Sequence, residues 1–199
     1  GTLWGTGKNF YGQLGDGTTT DRLSPVKVID SGVTRISAGG WHSLYLKTDG
    51  SLWAMGCNSH GRLGNGQSYS VQASPIQILS SGVTAVSAGH EHSLFLKSDG
   101  SAWAMGKNGA GRLGDGTDIE RRSPVRVLSS NVQAVYAVQF NSYFLTHSGE
   151  LLGTGSNEFG QLGADPSEDH AFPAPVALGV RKAAIGDKCI LYQTEQGNL

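Results

Sequence analysis

The residues of this chain that could do chemistry are few, and their spacing argues against catalysis. His42-Ser43 and His92-Ser93 each set a histidine beside a serine, the two side chains a nucleophile and its base would need. Neighbours along a strand point to opposite faces, so the imidazole cannot reach the adjacent hydroxyl. In two other copies of the same pattern this slot holds Asn141 and Cys189, which favours a structural hydrogen-bonding role. Asp16, Asn65 and Asp115 lie between glycines but lack the alternating acids of a calcium loop, and turn chemistry accounts for them. The glycine-rich stretch Gly106–Gly116 has neither the lysine context nor the following helix of a phosphate-binding loop. Cys57 and Cys189 occupy different positions of the pattern and form no ligand-like pair, so neither zinc nor a disulfide framework is indicated. The chain reads as a non-enzyme, with no catalytic residue, metal ligand or cofactor assigned.

What would have to position any other kind of site is a motif written four times. It starts at Gly1 (GTLWGTGKNFYGQLGDG), Gly50 (GSLWAMGCNSHGRLGNG), Gly100 (GSAWAMGKNGAGRLGDG) and Gly149 (GELLGTGSNEFGQLGAD), and a fifth copy begins at Gly197. The starts are 49, 50, 49 and 48 residues apart. A fixed period of this length signals a stack or ring of one supersecondary unit. We read 1–199 as a single region with repeats at about 1–49, 50–99, 100–148 and 149–196.

Each unit predicts four short antiparallel strands. In the second unit these are Val33–Ala38, Ser43–Lys47, Leu52–Met55 and Ser74–Ile78, with an Asp49-Gly50 hairpin between the middle two. Pro25, Pro75, Pro124 and Pro175 recur in the last strand, which places that strand on an edge, where no N–H need be donated. Small residues close the first strand (Ser37-Ala38, Ser87-Ala88, Ala137, Ala183-Ala184), as a crowded axis would require. The expected class is all-β: a β-propeller of four-stranded antiparallel blades, preferred to a linear β-solenoid, whose coils are shorter.

The copies disagree at two places inside an otherwise constant frame. One dipeptide lies between Asn and Gly: Phe10-Tyr11, Ser59-His60, Gly109-Ala110 and Glu158-Phe159. The other precedes the histidine slot: Gly40-Trp41, His90-Glu91, Gln139-Phe140 and Asp187-Lys188. Strands alternate in direction, so both connections should open on one face, while the monotonous Asp-Gly and Ser-Gly turns share the other. Loops on a rigid frame carry function, and aromatics with charged companions anchor interfaces. The candidate partner-binding residues are Phe10, Tyr11, Trp41, His60, His90, Glu91, Gln139, Phe140, Glu158, Phe159, Asp187 and Lys188.

Composition adds limits. The 30 glycines, roughly twice the usual share, fall at fixed places and mark turns. A net charge of −1 gives no general reason to expect nucleic acid or an anionic membrane as partner. Local charge at Arg121, Arg122 and Arg126 and at Asp165–Asp169 reads as solvated loop. No apolar run has membrane length and no signal peptide is seen, which favours a soluble, cytoplasmic protein over a secreted one.

The frame W-x-x-G-x-N-x-x-G-[QR]-L-G, then S-P-V, then S-A-G-x-x-H-S-L-x-L-K-x-D-G, resembles the regulator of chromosome condensation repeat. Trp4, Gly7, Asn9, Gly12, Leu14 and Gly15 carry it in the first copy and Trp53, Gly56, Asn58, Gly61, Leu63 and Gly64 in the second. The third copy matches as well, while the fourth departs at Leu152 and Cys189. The resemblance implies a propeller of about seven blades, closed by pairing the two chain ends within one blade. Four repeats could close on themselves, pair with a second copy, or belong to a larger ring, so a self-associating partner joins an unknown protein partner among the expectations. It also implies binding functions. Propeller-type inhibitors of the family use aromatics before the histidine slot, matching Trp41 and Phe140 here. The exchange factor of the family acts on a GTPase through an inserted wedge, and no repeat here carries an insertion. The functional reading is a protein-interaction module. The alternatives are an exchange factor or regulator for a small GTPase, and a self-assembling or engineered propeller fragment.

Overall fold

Alternating β-branched and aromatic residues between turn glycines form strands, and the computed structural model, which describes residues 1–163 and 168–194, contains sixteen of them. Asp165–Ser167 of the acidic stretch and the fifth copy at Gly197 lie outside the described residues. Three complete blades follow one another. The first is β3 (Val33–Ala38), β4 (His42–Lys47), β5 (Leu52–Cys57) and β6 (Val71–Leu79). The second is β7 (Val83–Ala88), β8 (His92–Lys97), β9 (Ala102–Gly106) and β10 (Arg121–Leu128). The third is β11 (Val132–Ala137), β12 (Asn141–Thr146), β13 (Leu151–Gly155) and β14 (His170–Ala177). Each is an antiparallel sheet in sequence order. Two half-blades flank them: β1 (Leu3–Gly7) with β2 (Arg22–Ile29), and β15 (Val180–Ile185) with β16 (Ile190–Thr194).

The prolines sit as expected, in β2, β6, β10 and β14, the outermost strand each time. The core lies between blades rather than within one. Leu44, Leu46, Leu52 and Ala54 of the first blade pack with Val83, Ala88, Phe95 and Met105 of the second. Leu94, Leu96, Ala102 and Ala104 repeat the arrangement against Val132, Val135, Ala137 and Phe144.

The inner strands touch through backbone, which explains their small residues. Ala88 N donates to Ser37 Oγ (2.9 Å) and Ala137 N to Ser87 Oγ (2.8 Å). A Cβ on Gly39 would stand 2.3 Å from the carbonyl oxygen of Gly89, so a side chain there would push the blades apart.

On the blade surfaces Trp53 stacks on Tyr45 (6.0 Å, 9°) and Trp103 on Phe95 (6.1 Å, 6°). The half-blades hold separate halves of such a pair. Trp4 on β1 is 55% exposed, and Tyr192 on β16, at the position of Tyr45 and Phe95, is 37% exposed. β1 and β16 are not hydrogen-bonded to each other, so the described chain does not close on itself. Among the described residues no helix is long and apolar enough to cross a membrane.

Candidate interaction face

The loop from third to fourth strand is held by a buried asparagine. Asn58 Oδ1 accepts from Leu63 N (3.1 Å), while its Nδ2 donates to Asn65 Oδ1 (2.8 Å) and Gln67 O (3.1 Å). Asn9 and Asn108 repeat this with Asp16 and Asp115 as acceptors. The acids between glycines are thus turn acceptors, as the sequence predicts. Burial would raise the Asp16 carboxyl, but hydrogen bonds from Thr18 and Arg22 bring it down to about 2. One expectation needs correcting. Arg121 is not free loop charge: its Nε donates to Asp115 Oδ2 (2.6 Å), closing the loop as Arg22 does on Asp16.

The histidine slot joins blades. His42 Nε2 lies 2.8 Å from Ser93 Oγ, and His92 Nε2 lies 2.9 Å from Ser142 Oγ, all four side chains buried or nearly so. Each hydroxyl donates onward, Ser93 to Arg62 O (2.7 Å) and Ser142 to Arg112 O (2.6 Å). The serine must therefore accept from the ring, which fixes the proton on Nε2 and leaves Nδ1 bare. A hydroxyl bound this way is a strut, not a nucleophile. Burial holds both imidazoles neutral: His42 well below the ordinary histidine value, His92 at about 3. Asn141 turns instead to its own blade, donating to Thr154 O and Ser156 O. The serine slot it would face is Ile190.

The two variable loops meet on one face. Phe10 contacts Tyr11 edge-on (5.0 Å), Tyr11 contacts Trp41 (5.3 Å), and Trp41 contacts His90 (6.4 Å). Lys8 stands over the Trp41 ring (5.2 Å). This arc crosses from the first half-blade to the second complete blade. Phe10 is exposed and Tyr11 and Trp41 are half-buried. Beyond His90, Glu91 Oε2 receives Lys107 Nζ (2.7 Å). Burial opposes ionisation of Glu91, but Lys107, Arg62 and His60 outweigh it and hold the carboxyl below its ordinary value. His60 adopts a left-handed backbone (φ 62) and places Nδ1 2.8 Å from Glu120 Oε2 and Nε2 3.9 Å from Glu91. Phe140 lies against the Arg112 guanidinium (5.0 Å) and Phe159 beneath Lys188 (4.2 Å). Glu158, Asp187 and Lys188 are exposed. A cavity of about 240 Å³ opens at the hub of this face, lined by Gly40, Gly89, His90, Gln139 and Asp187 among others.

Two residues that matter here escape sequence reasoning. Arg62 and Arg112, 2% and 4% exposed, run under the loops. Arg62 donates to Ser59 O and to His90 O (3.1 Å) in the next blade, and Arg112 does the same to Gly109 O and Gln139 O (3.1 Å). They pin the second variable loop at its first residue. The available signal was the frame itself, which reads Gln13, Arg62, Arg112 and Gln161 at one position.

With this geometry in hand, the chain matches the regulator of chromosome condensation (RCC1) repeat over residues 1–46, 49–96 and 99–142, and a second form of that repeat over 33–62 and 83–112. Among solved structures it is similar to human WBSCR16, with 27% identity and a TM-score of 0.85, covering 98% of this chain and 55% of that one. It is also similar to yeast RCC1 (Prp20), crystallised with Kap60, with 20% identity and a TM-score of 0.80, covering 96% of this chain and 50% of that one. Prp20p from Saccharomyces cerevisiae gives 19% identity and a TM-score of 0.57. The chain spans about half the length of the first two structures. Curated protein sequences return no match.

Proposed function

Because the chain belongs to the regulator of chromosome condensation repeat family, we propose that it is a protein-interaction module that binds its partner through the loop face of the propeller. The observation that carries this is the continuous arc Phe10–Tyr11–Trp41–His90, built from variable positions of two successive repeats and left open to solvent. Yeast RCC1 provides a protein-binding precedent in the family, having been crystallised with Kap60. Structural roles explain the constant residues: histidines and serines join blades, asparagines and acids set loops. The arc has no such duty, and rigid aromatics of this kind bury large areas at low entropic cost.

The test is the double substitution Trp41→Ala and Phe140→Ala. Partner capture should fall by at least about 2 kcal/mol, with the melting temperature little changed. Undiminished binding by a folded double variant would remove the loop face from the account. The alternative, regulation of a small GTPase, draws on family membership alone, since no repeat carries an insertion that would serve as a wedge. Nucleotide release across a panel of GTPases separates the two.

A further inference from the structure

The charges on this face are unevenly matched. Three permanent cations share one carboxylate: Glu91 lies 2.7 Å from Lys107, 3.7 Å from Arg62 and 3.9 Å from Arg112. The second nearby acid, Glu120, is engaged by His60 and Arg122. Lys8 makes no ion pair among the described residues and rests on the Trp41 ring. The arc from Lys8 to Phe140 therefore carries excess positive charge, in a chain whose net charge is −1. The arginines cannot swing away to be neutralised by solvent ions, because each is buried and bound to carbonyls. Asp187 lines the hub cavity together with His90 of the arc.

Resting on the loop-face reading above, we propose that the partner presents an acidic, apolar segment: carboxylates that share Lys107 and Lys8, with the buried arginines adding to the positive field beneath, interleaved with apolar side chains that pack on Phe10, Trp41 and Phe140. Charge complementarity of this kind sets partner choice and association rate, while the aromatic anchors set residence time. Asp187 repels such a segment from the hub cavity and so fixes which part of the face it follows. The arc is poorly made for a nucleic acid. A phosphate backbone needs a row of exposed cations. Here the arginines are sunk beneath the loops, and Glu91 and Glu120 interrupt the row.

The experiment uses the whole chain and three fluorescein-labelled probes, read by anisotropy: a short peptide alternating Glu with Phe and Leu, the same peptide with Lys for Glu, and a single-stranded oligonucleotide. The Glu peptide should bind, and more weakly as salt rises. Lys8→Glu should weaken it about fivefold and Trp41→Ala about tenfold or more, with circular dichroism unchanged. If the Lys peptide binds as well or better and Trp41→Ala still weakens it, the acidic preference is overturned while the loop face stands. Tighter binding of the oligonucleotide than of the Glu peptide also overturns it. Absence of peptide binding, or binding insensitive to Trp41, overturns both readings.

Discussion

His92 shows how far single residues could be read in advance. Its structural role follows from the exchange of histidine for Asn141 and Cys189 in the same slot. Its partner does not, because Ser142 belongs to the next blade and no pattern along the chain records how blades register. The buried pair His92–Ser142, like His42–Ser93, has a consequence for acid stability. Both rings have folded values depressed below the ordinary 6.5, so the unfolded chain binds protons that the folded one refuses. Their contribution is complete above pH about 6.5 and is lost as pH falls, for His92 toward about 3. Urea unfolding between pH 6 and 5 should show stability dropping by about 1.4 kcal/mol per pH unit for each histidine fully coupled. This window lies above the range where the depressed acids Asp16 and Asp115 titrate. Replacing His92 with Asn should flatten the slope by one such increment. An unchanged slope would mean that the ring is not held neutral.

At the scale of elements, strand existence, hairpins and proline edges were legible because period-2 alternation and turn residues are local. The short turns Ser59–Gly61 and Gly109–Gly111 were not foreseen. Their form is imposed from outside, by contact with the neighbouring blade. Gly61 (φ +76) makes the point: a Cβ there would stand 2.4 Å from Arg122 Cα on β10 of the next blade. Both the left-handed backbone and the close approach demand glycine. Gly61→Ala should cost at least about 2 kcal/mol in denaturant unfolding. Gly160 is also left-handed (φ +71), but a Cβ there meets nothing within 4 Å among the described residues, so Gly160→Ala should cost less. Equal losses at the two sites would show that backbone strain alone, not the press of one blade on the next, sets the requirement. The arginines under the loops were illegible for a related reason: a [QR] position in a repeat frame looks exposed until the loop it supports is in place.

For the molecule as a whole, the repeat period disclosed the blade architecture, but ring closure stayed open among three possibilities. Closure depends on the angle between blades, which no single repeat encodes. The described chain leaves bare edges on β1 and β16, with Ile36 and Leu191 67% and 69% exposed beside them. Such edges pair with whatever strand is offered. The isolated chain should therefore self-associate with rising concentration in sedimentation velocity, and the double variant Ile36→Lys, Leu191→Lys should suppress it. A monomer at every concentration would show that the edges are already protected.

The successive seams between blades are not equal. At the last one Tyr136 stands where Ser37 and Ser87 accept a backbone N–H, Val138 replaces the glycine of Gly39 and Gly89, and Asn141 has turned away from Ile190. What remains is one backbone bond that every seam shares, Val180 N to Gly149 O (2.8 Å), and apolar contact through Tyr143, Leu145, Val180 and Ile190. Energy in such an array is a chain of nearest-neighbour couplings, and here the weakest coupling precedes β15. Heating will fray the hairpin β15–β16 first, as a shallow shoulder ahead of the main melt, while the aromatic arc, two seams away, survives until the bulk of the wheel comes apart.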